Sequence, residues 1–157
     1  IGNLQRNKVK YMAEYVSLIH GVDSFKLLQE INKQALKHNR IINCLLQIKI
    51  AQEDTKAGMT IEEAKAILQS EELSNLKNIK IIGLMGMASF SKNQQQVTTE
   101  FNYLSNSFDQ LKEIKTNNCE LKTISMGMSG DYELAINCGS TMVRVGSSIF
   151  GVRNYNI

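Results

Sequence analysis

No proline occurs in the 157 residues, although average usage near 5% predicts roughly eight. That absence is consistent with a shortened chain without showing one. Charge of one sign is also scarce: 18 basic side chains against 15 acidic ones leave only +3, too little and too dispersed for a nucleic-acid footprint. The longest apolar run is Ile81 to Ala88, glycines included, far short of the ~20 residues that span a bilayer. No secretory pattern opens the chain. Cysteine is limited to Cys44, Cys119 and Cys138, an odd count without metal-ligand spacing, which reads as three reduced thiols and a cytoplasmic setting. His20 ends a predicted strand and His38 a predicted helix, and neither has an acidic or thiol partner at ligand spacing, so no metal site is expected.

What is present is an ordinary soluble mixture, 43% hydrophobic and 21% charged, long enough for a single domain over 1–157. Ser17 to Asp23 reads as a strand. From Asp23 or Ser24, either of which can cap, a helix places Leu27, Leu28, Ile31 and Ala35 on one face and stops near Asn39. Ile41 to Ala51 is a β-branched run suited to a strand covered on both faces. Thr60 to Glu63 has capping-box spacing and opens a second helix. Ile79 to Met87 is another buried strand, and Val97, Phe101, Leu104, Phe108 and Leu111 mark a helix against the sheet. Leu121 to Met126, a short helix over Tyr132 to Asn137, and Met142 to Gly146 follow. Strands alternating with helices predict βαβ units and a parallel sheet.

A doubly wound sheet would place G-x-G-x-x-G after its first strand, and no such motif exists here. The glycine-serine loops instead follow the last two strands, SMGMSGD at 125–131 and VGSSIFG at 145–151. A (β/α)8 barrel often holds a phosphate in the loops after its final two strands. Such a barrel needs about 250 residues in the typical case, so five or six strands imply an incomplete one. Ser129 with Gly146 and Ser147 has the small residues and backbone amides that an anion requires; the alternative is that Ser129 only caps a helix and Gly146 only permits a turn. Arg144, within an apolar strand, must be paired or meet a ligand if it faces an interior. Glu53, Lys56 and Gly58 follow the strand at 41–51, where a lysine either meets an anion or aldehyde or is simply solvated. Met85, Met87, Met126 and Met128 flank strand ends as core or pocket lining. Arg6, Lys8 and Lys10 read as a solvated helix face.

Several segments together resemble a known family. IGNLQRNK at 1–8 is similar to I-G-x-L-Q-x-N-K, and SLIHGVDS at 17–24 to I-H-S-V-D-S with Gly21 for serine. LLQIKIAQEDTKAG at 45–58, GLMGMA at 83–88, SMGMSGDYELAI at 125–136 and GSTMVRVGSSIFG at 139–151 follow in register. The chain thus resembles the pyridoxal phosphate homeostasis proteins (YggS type), relatives of the alanine racemase N-terminal barrel. The resemblance implies a (β/α)8 TIM barrel lacking its N-terminal strands, binding pyridoxal 5'-phosphate (PLP) for intracellular homeostasis without turnover of its own, with PLP-dependent apoenzymes as possible recipients. It places Ser129, Gly146 and Ser147 at the phosphate, Arg144 near the pyridine nitrogen, Met126 and Met128 along the pocket, and Lys56 beside the site. The family's Schiff-base lysine is expected upstream of Ile1. The alternative is a racemase-like enzyme on the same barrel; with only six residues after Gly151, a second domain to supply its base is not expected. An incomplete barrel is further expected to expose an apolar flank and to self-associate.

Overall fold

The structure, a computed structural model, describes residues 2–53 and 57–151. Five strands, β1 (Leu18–Val22), β2 (Ile42–Ile48), β3 (Ile79–Gly86), β4 (Cys119–Met128) and β5 (Met142–Arg144), form one sheet in the order β1-β2-β3-β4-β5. All four pairings are parallel. Each strand lies beside its predecessor, so crossovers of one hand carry every connecting helix to the same face. A doubly wound sheet would reverse its order midway; this one does not. Among the described residues the wall is open, with β1 and β5 as its edges.

The connections are α1 (Phe25–Lys37), α2 (Ile61–Gln69), α3 (Glu71–Ser74), α4 (Gln94–Leu111), α5 (Tyr132–Asn137) and α6 (Ser147–Phe150), preceded by a 3-10 helix at Arg6–Tyr11. Helix α2 begins with the predicted reciprocal cap: the Glu63 amide donates to Thr60 Oγ1 (3.1 Å) and the Thr60 amide to Glu63 Oε2 (2.8 Å). Ser24 occupies the cap position of α1, but its hydroxyl turns to Asp23 and closes no helical turn. Asn39 ends that helix at φ 51°, a left-handed conformation that asparagine tolerates. Helix α4 starts three residues before Val97 because the Asn93 side chain accepts from the amides of Gln95 and Gln96.

Leu27, Leu28 and Ile31 of α1 and Phe101 and Leu104 of α4 are fully buried and share one apolar cluster with the strands. Leu45 and Met85 are equally buried but lie outside that cluster, on the sheet's other, inner face. Asparagines tie the feet of the strands. Asn118 Nδ2 donates to the carbonyls of Leu73 (2.5 Å) and Leu76 (3.2 Å), while Asn78 donates its amide to Asn32 Oδ1 (2.8 Å) and Nδ2 to the Arg40 carbonyl (2.9 Å), and its own carbonyl accepts the Ile42 amide (3.0 Å). These bonds leave the opposite, carboxyl ends of the strands for the site.

β2 and β5 stop two or more residues earlier than the apolar pattern suggests, and β3 one. β2 ends at Ile48 because Met59 returns beside it, its amide donating to Gln47 and its carbonyl accepting from Lys49. β5 ends at Arg144, since the Gly146 amide is taken by the Ser129 side chain.

Candidate functional site at the carboxyl ends of the strands

Loops after β4 and β5 meet through one hydroxyl. Ser129 Oγ accepts from the amides of Gly146 (3.1 Å) and Ser148 (3.3 Å), and the Ser148 hydroxyl donates back to the Ser129 carbonyl (3.4 Å). Two backbone N–H groups are thus spent on one side-chain oxygen, which ties the loops after β4 and β5 together. A β-carbon on Gly146 would meet no atom within 4 Å, so this side of the loop is open. Ser147 opens α6 between the two donating residues. Asp131 steadies the approach by accepting the Met128 amide at 2.6 Å.

Beneath these loops the inner face carries polar groups. Gln47, Met85, Ser125 and Met142 are neighbours in register across β2 to β5. Arg144 is 8% exposed and lies on this face. Its Nη1 donates to Ser125 Oγ (2.8 Å) and its Nη2 to the Gly86 carbonyl (3.0 Å). Nε, equally buried, has no partner. Burial pulls the guanidinium below its usual pKa and the Asp131 carboxylate opposes that shift. An arginine buried against neutral acceptors, with one donor unspent, is a costly arrangement unless a ligand completes it.

His20, from β1, closes the row: its Nδ1 lies 3.1 Å from Ser125 Oγ. Burial, with the Arg144 charge adding, pushes its pKa down to about 4, so the imidazole is neutral. His20 and Ser125 fall within the quoted segments 17–24 and 125–131, but the sequence assigned neither of them a role in the site. Their contact joins the first described strand to the fourth, and spacing along the chain carries no signal of that.

The other predicted residues take different places. Met128 stands half exposed at the rim, whereas Met126 is fully buried within the apolar cluster behind the strand. Glu53 Oε1 accepts the Phe90 amide at 3.0 Å and so links the loops after β2 and β3. Gly58, at φ 146°, packs against the backbone of Ile48 and Lys49. Lys56 lies outside the described residues. Among the described residues no group of three His, Cys, Asp or Glu could hold a metal ion, and no helix is long and apolar enough to cross a membrane.

The family model for the alanine racemase N-terminal domain matches residues 1–154. The chain belongs to this family. Within it, the chain is similar to the "Pyridoxal phosphate homeostasis protein" of Aquifex aeolicus, with 39% identity over 155 residues, covering 99% of this chain and 66% of that protein. The protein of the same name from Haemophilus influenzae is 36% identical over 156 residues, covering 99% of this chain and 65% of that one. The chain therefore spans about two thirds of the length of these relatives. Among solved structures, PipY of Synechococcus elongatus with PLP bound superimposes with a TM-score of 0.83 at 30% identity, covering 96% of this chain and 68% of that one.

Proposed function

We propose that the protein binds pyridoxal 5'-phosphate and serves intracellular cofactor homeostasis, with no turnover of its own. One observation carries the reading: the buried Arg144 with its unspent Nε lies beneath the loops where Ser129 Oγ collects the Gly146 and Ser148 amides. The residues fit the group. Gly146, Ser147 and Ser129 would hold the phosphate, Arg144 Nε would donate to the ring nitrogen, and Met128 would line the rim with Met126 behind it. Lys56 would stand as an accessory cation. The names of the relatives and the PLP bound to PipY support the binding of this cofactor.

Bound PLP supplies an electron-withdrawing ring and an electrophilic aldehyde. A guanidinium donor at the ring nitrogen keeps that nitrogen unprotonated, which weakens electron withdrawal and favours storage over turnover. Hand-over to PLP-dependent apoenzymes in the cytoplasm is the corresponding partner role. Three buried free thiols fit a reducing compartment.

Titration of the protein with PLP, followed by equilibrium dialysis, tests this. Saturable binding is expected, weakened by about tenfold or more in Arg144→Ala as a charge-assisted bond is lost. Sustained racemisation of L-alanine by the loaded protein would establish the racemase-like alternative instead. Absence of saturable PLP binding would overturn the assignment.

A further inference from the structure

The hydroxyl of Ser125 has one proton and two neighbours. Arg144 Nη1 can only donate, so at 2.8 Å Ser125 Oγ is the acceptor. Ser125 is fully buried, and the remaining partner of its hydroxyl is His20 Nδ1 at 3.1 Å. The proton therefore goes to Nδ1, and the imidazole keeps its own proton on Nε2. A histidine protonated at Nδ1 would force Ser125 to accept twice and would strand its proton in a buried site, at a cost comparable to a lost hydrogen bond.

We propose that His20 is a positioning residue for Arg144, acting through Ser125: it fixes the direction of the hydroxyl so that a lone pair faces the guanidinium. The inference rests on the PLP-binding reading for its purpose and on the hydrogen-bond geometry for its existence. With Nη1 held by Ser125 and Nη2 by the Gly86 carbonyl, the guanidinium plane is fixed at two points on two strands. Nε is then left as the donor with a set direction. Without His20 the Ser125 hydroxyl is free to rotate, and one of those two points is lost. Histidine suits the task because its ring spans from β1 to β4, which no residue of an adjacent strand has to do.

Nuclear magnetic resonance of the ligand-free protein tests the relay itself. In the wild type, His20 is expected as the Nε2–H tautomer, and the Arg144 Nε–H as a sharp resonance, assigned by its loss in Arg144→Lys. His20→Ala should speed solvent exchange at that Nε–H by about tenfold, the equivalent of one hydrogen bond. His20→Asn, which places an acceptor near the former Nδ1, should restore the wild-type rate. Ser125→Ala should match His20→Ala, and the double variant should add nothing further, because both act through one contact. An Nδ1–H tautomer, an unchanged exchange rate in His20→Ala, or additive losses in the double variant would each overturn the proposal. Dialysis with PLP gives a separate reading: affinity should fall by about tenfold in His20→Ala and return in His20→Asn. An intact relay in a protein that binds no PLP would refute the cofactor assignment and leave the positioning role standing; PLP affinity indifferent to His20 would refute the role while the assignment stood.

Discussion

A β-carbon on Gly83 would overlap the carbonyl oxygen of Thr123 on the neighbouring strand. The two residues are partners in register, and the β3–β4 pairing is irregular just before them, between Ile81 and Gly83. The alternation of faces breaks at the same level. Ile79 and Ile81 of β3 belong to the helix-side cluster, but so does Leu84; in β4 the members are Cys119 and Leu121, then Ile124 and Met126. An irregularity of this kind moves every later side chain to the other face. Met85 and Ser125 face inward as a result, and Ser125 meets His20 and Arg144. Gly83→Ala should therefore cost about 2–4 kcal/mol, as overpacking against a backbone atom does, measured by urea unfolding. Wild-type stability in this variant would show that the two strands separate without penalty.

That irregularity also shows where the sequence is legible. Periodicity exposed the strand-helix alternation, since Leu27, Leu28, Ile31 and Ala35 or Val97, Phe101 and Leu104 repeat at helical spacing. The capping box at Thr60 was equally visible, because it is a local bond. Ser129, Gly146 and Arg144 stood out by composition against apolar strands. The Ser125–His20 contact was hidden because it crosses the sheet interior between residues 105 apart in the chain. The facing of Ser125 depends on a register slip that a run such as LKTISM does not announce.

Gly146 contrasts with Gly83, since a β-carbon there meets nothing within 4 Å. Its φ of −126° is open to any residue, so Gly146→Ala should fold with unchanged thermal stability. The added methyl would stand on the open side of the loop that is proposed to hold the anion. Binding of inorganic phosphate or PLP should weaken by about tenfold, comparable to losing one charge-assisted hydrogen bond. Phosphorus NMR titration checks it; unimpaired binding would place the anion elsewhere.

The three thiols should be silent in the native protein. Burial pushes Cys44 up to about 12 and Cys119 up to about 11, and raises Cys138 as well. The thiolate is the reactive form, so at pH 8 almost none is present. Labelling with a chromogenic disulfide should be slow until denaturant is added, then rapid at all three positions. Cys138, the most exposed at 9%, should react first. Fast native labelling of Cys44 would contradict its burial between β2 and the helices.

Acid should loosen the inner face through His20. Its folded pKa of about 4 lies below the ordinary 6.5, so the native state resists a proton that the unfolded chain accepts. Between those values the unfolded state binds more protons, and linkage makes stability rise with pH. The contribution of a neutral His20 is therefore complete above about pH 6.5 and is lost progressively as pH falls toward 4. Arg144 sharpens the effect, because an imidazolium would sit near a guanidinium and could no longer accept the Ser125 proton. Partial exposure screens the charge, so about 1–2 kcal/mol is the expected loss rather than the full linkage value. Other carboxylates titrate over the same range, and comparison with His20→Asn cancels them. The stability difference between wild type and His20→Asn, measured by urea unfolding from pH 7 to pH 4.5, should shift by that amount in favour of the variant as pH falls. A difference that stays constant across this range would mean that His20 titrates normally and that its ring is not held neutral against Ser125.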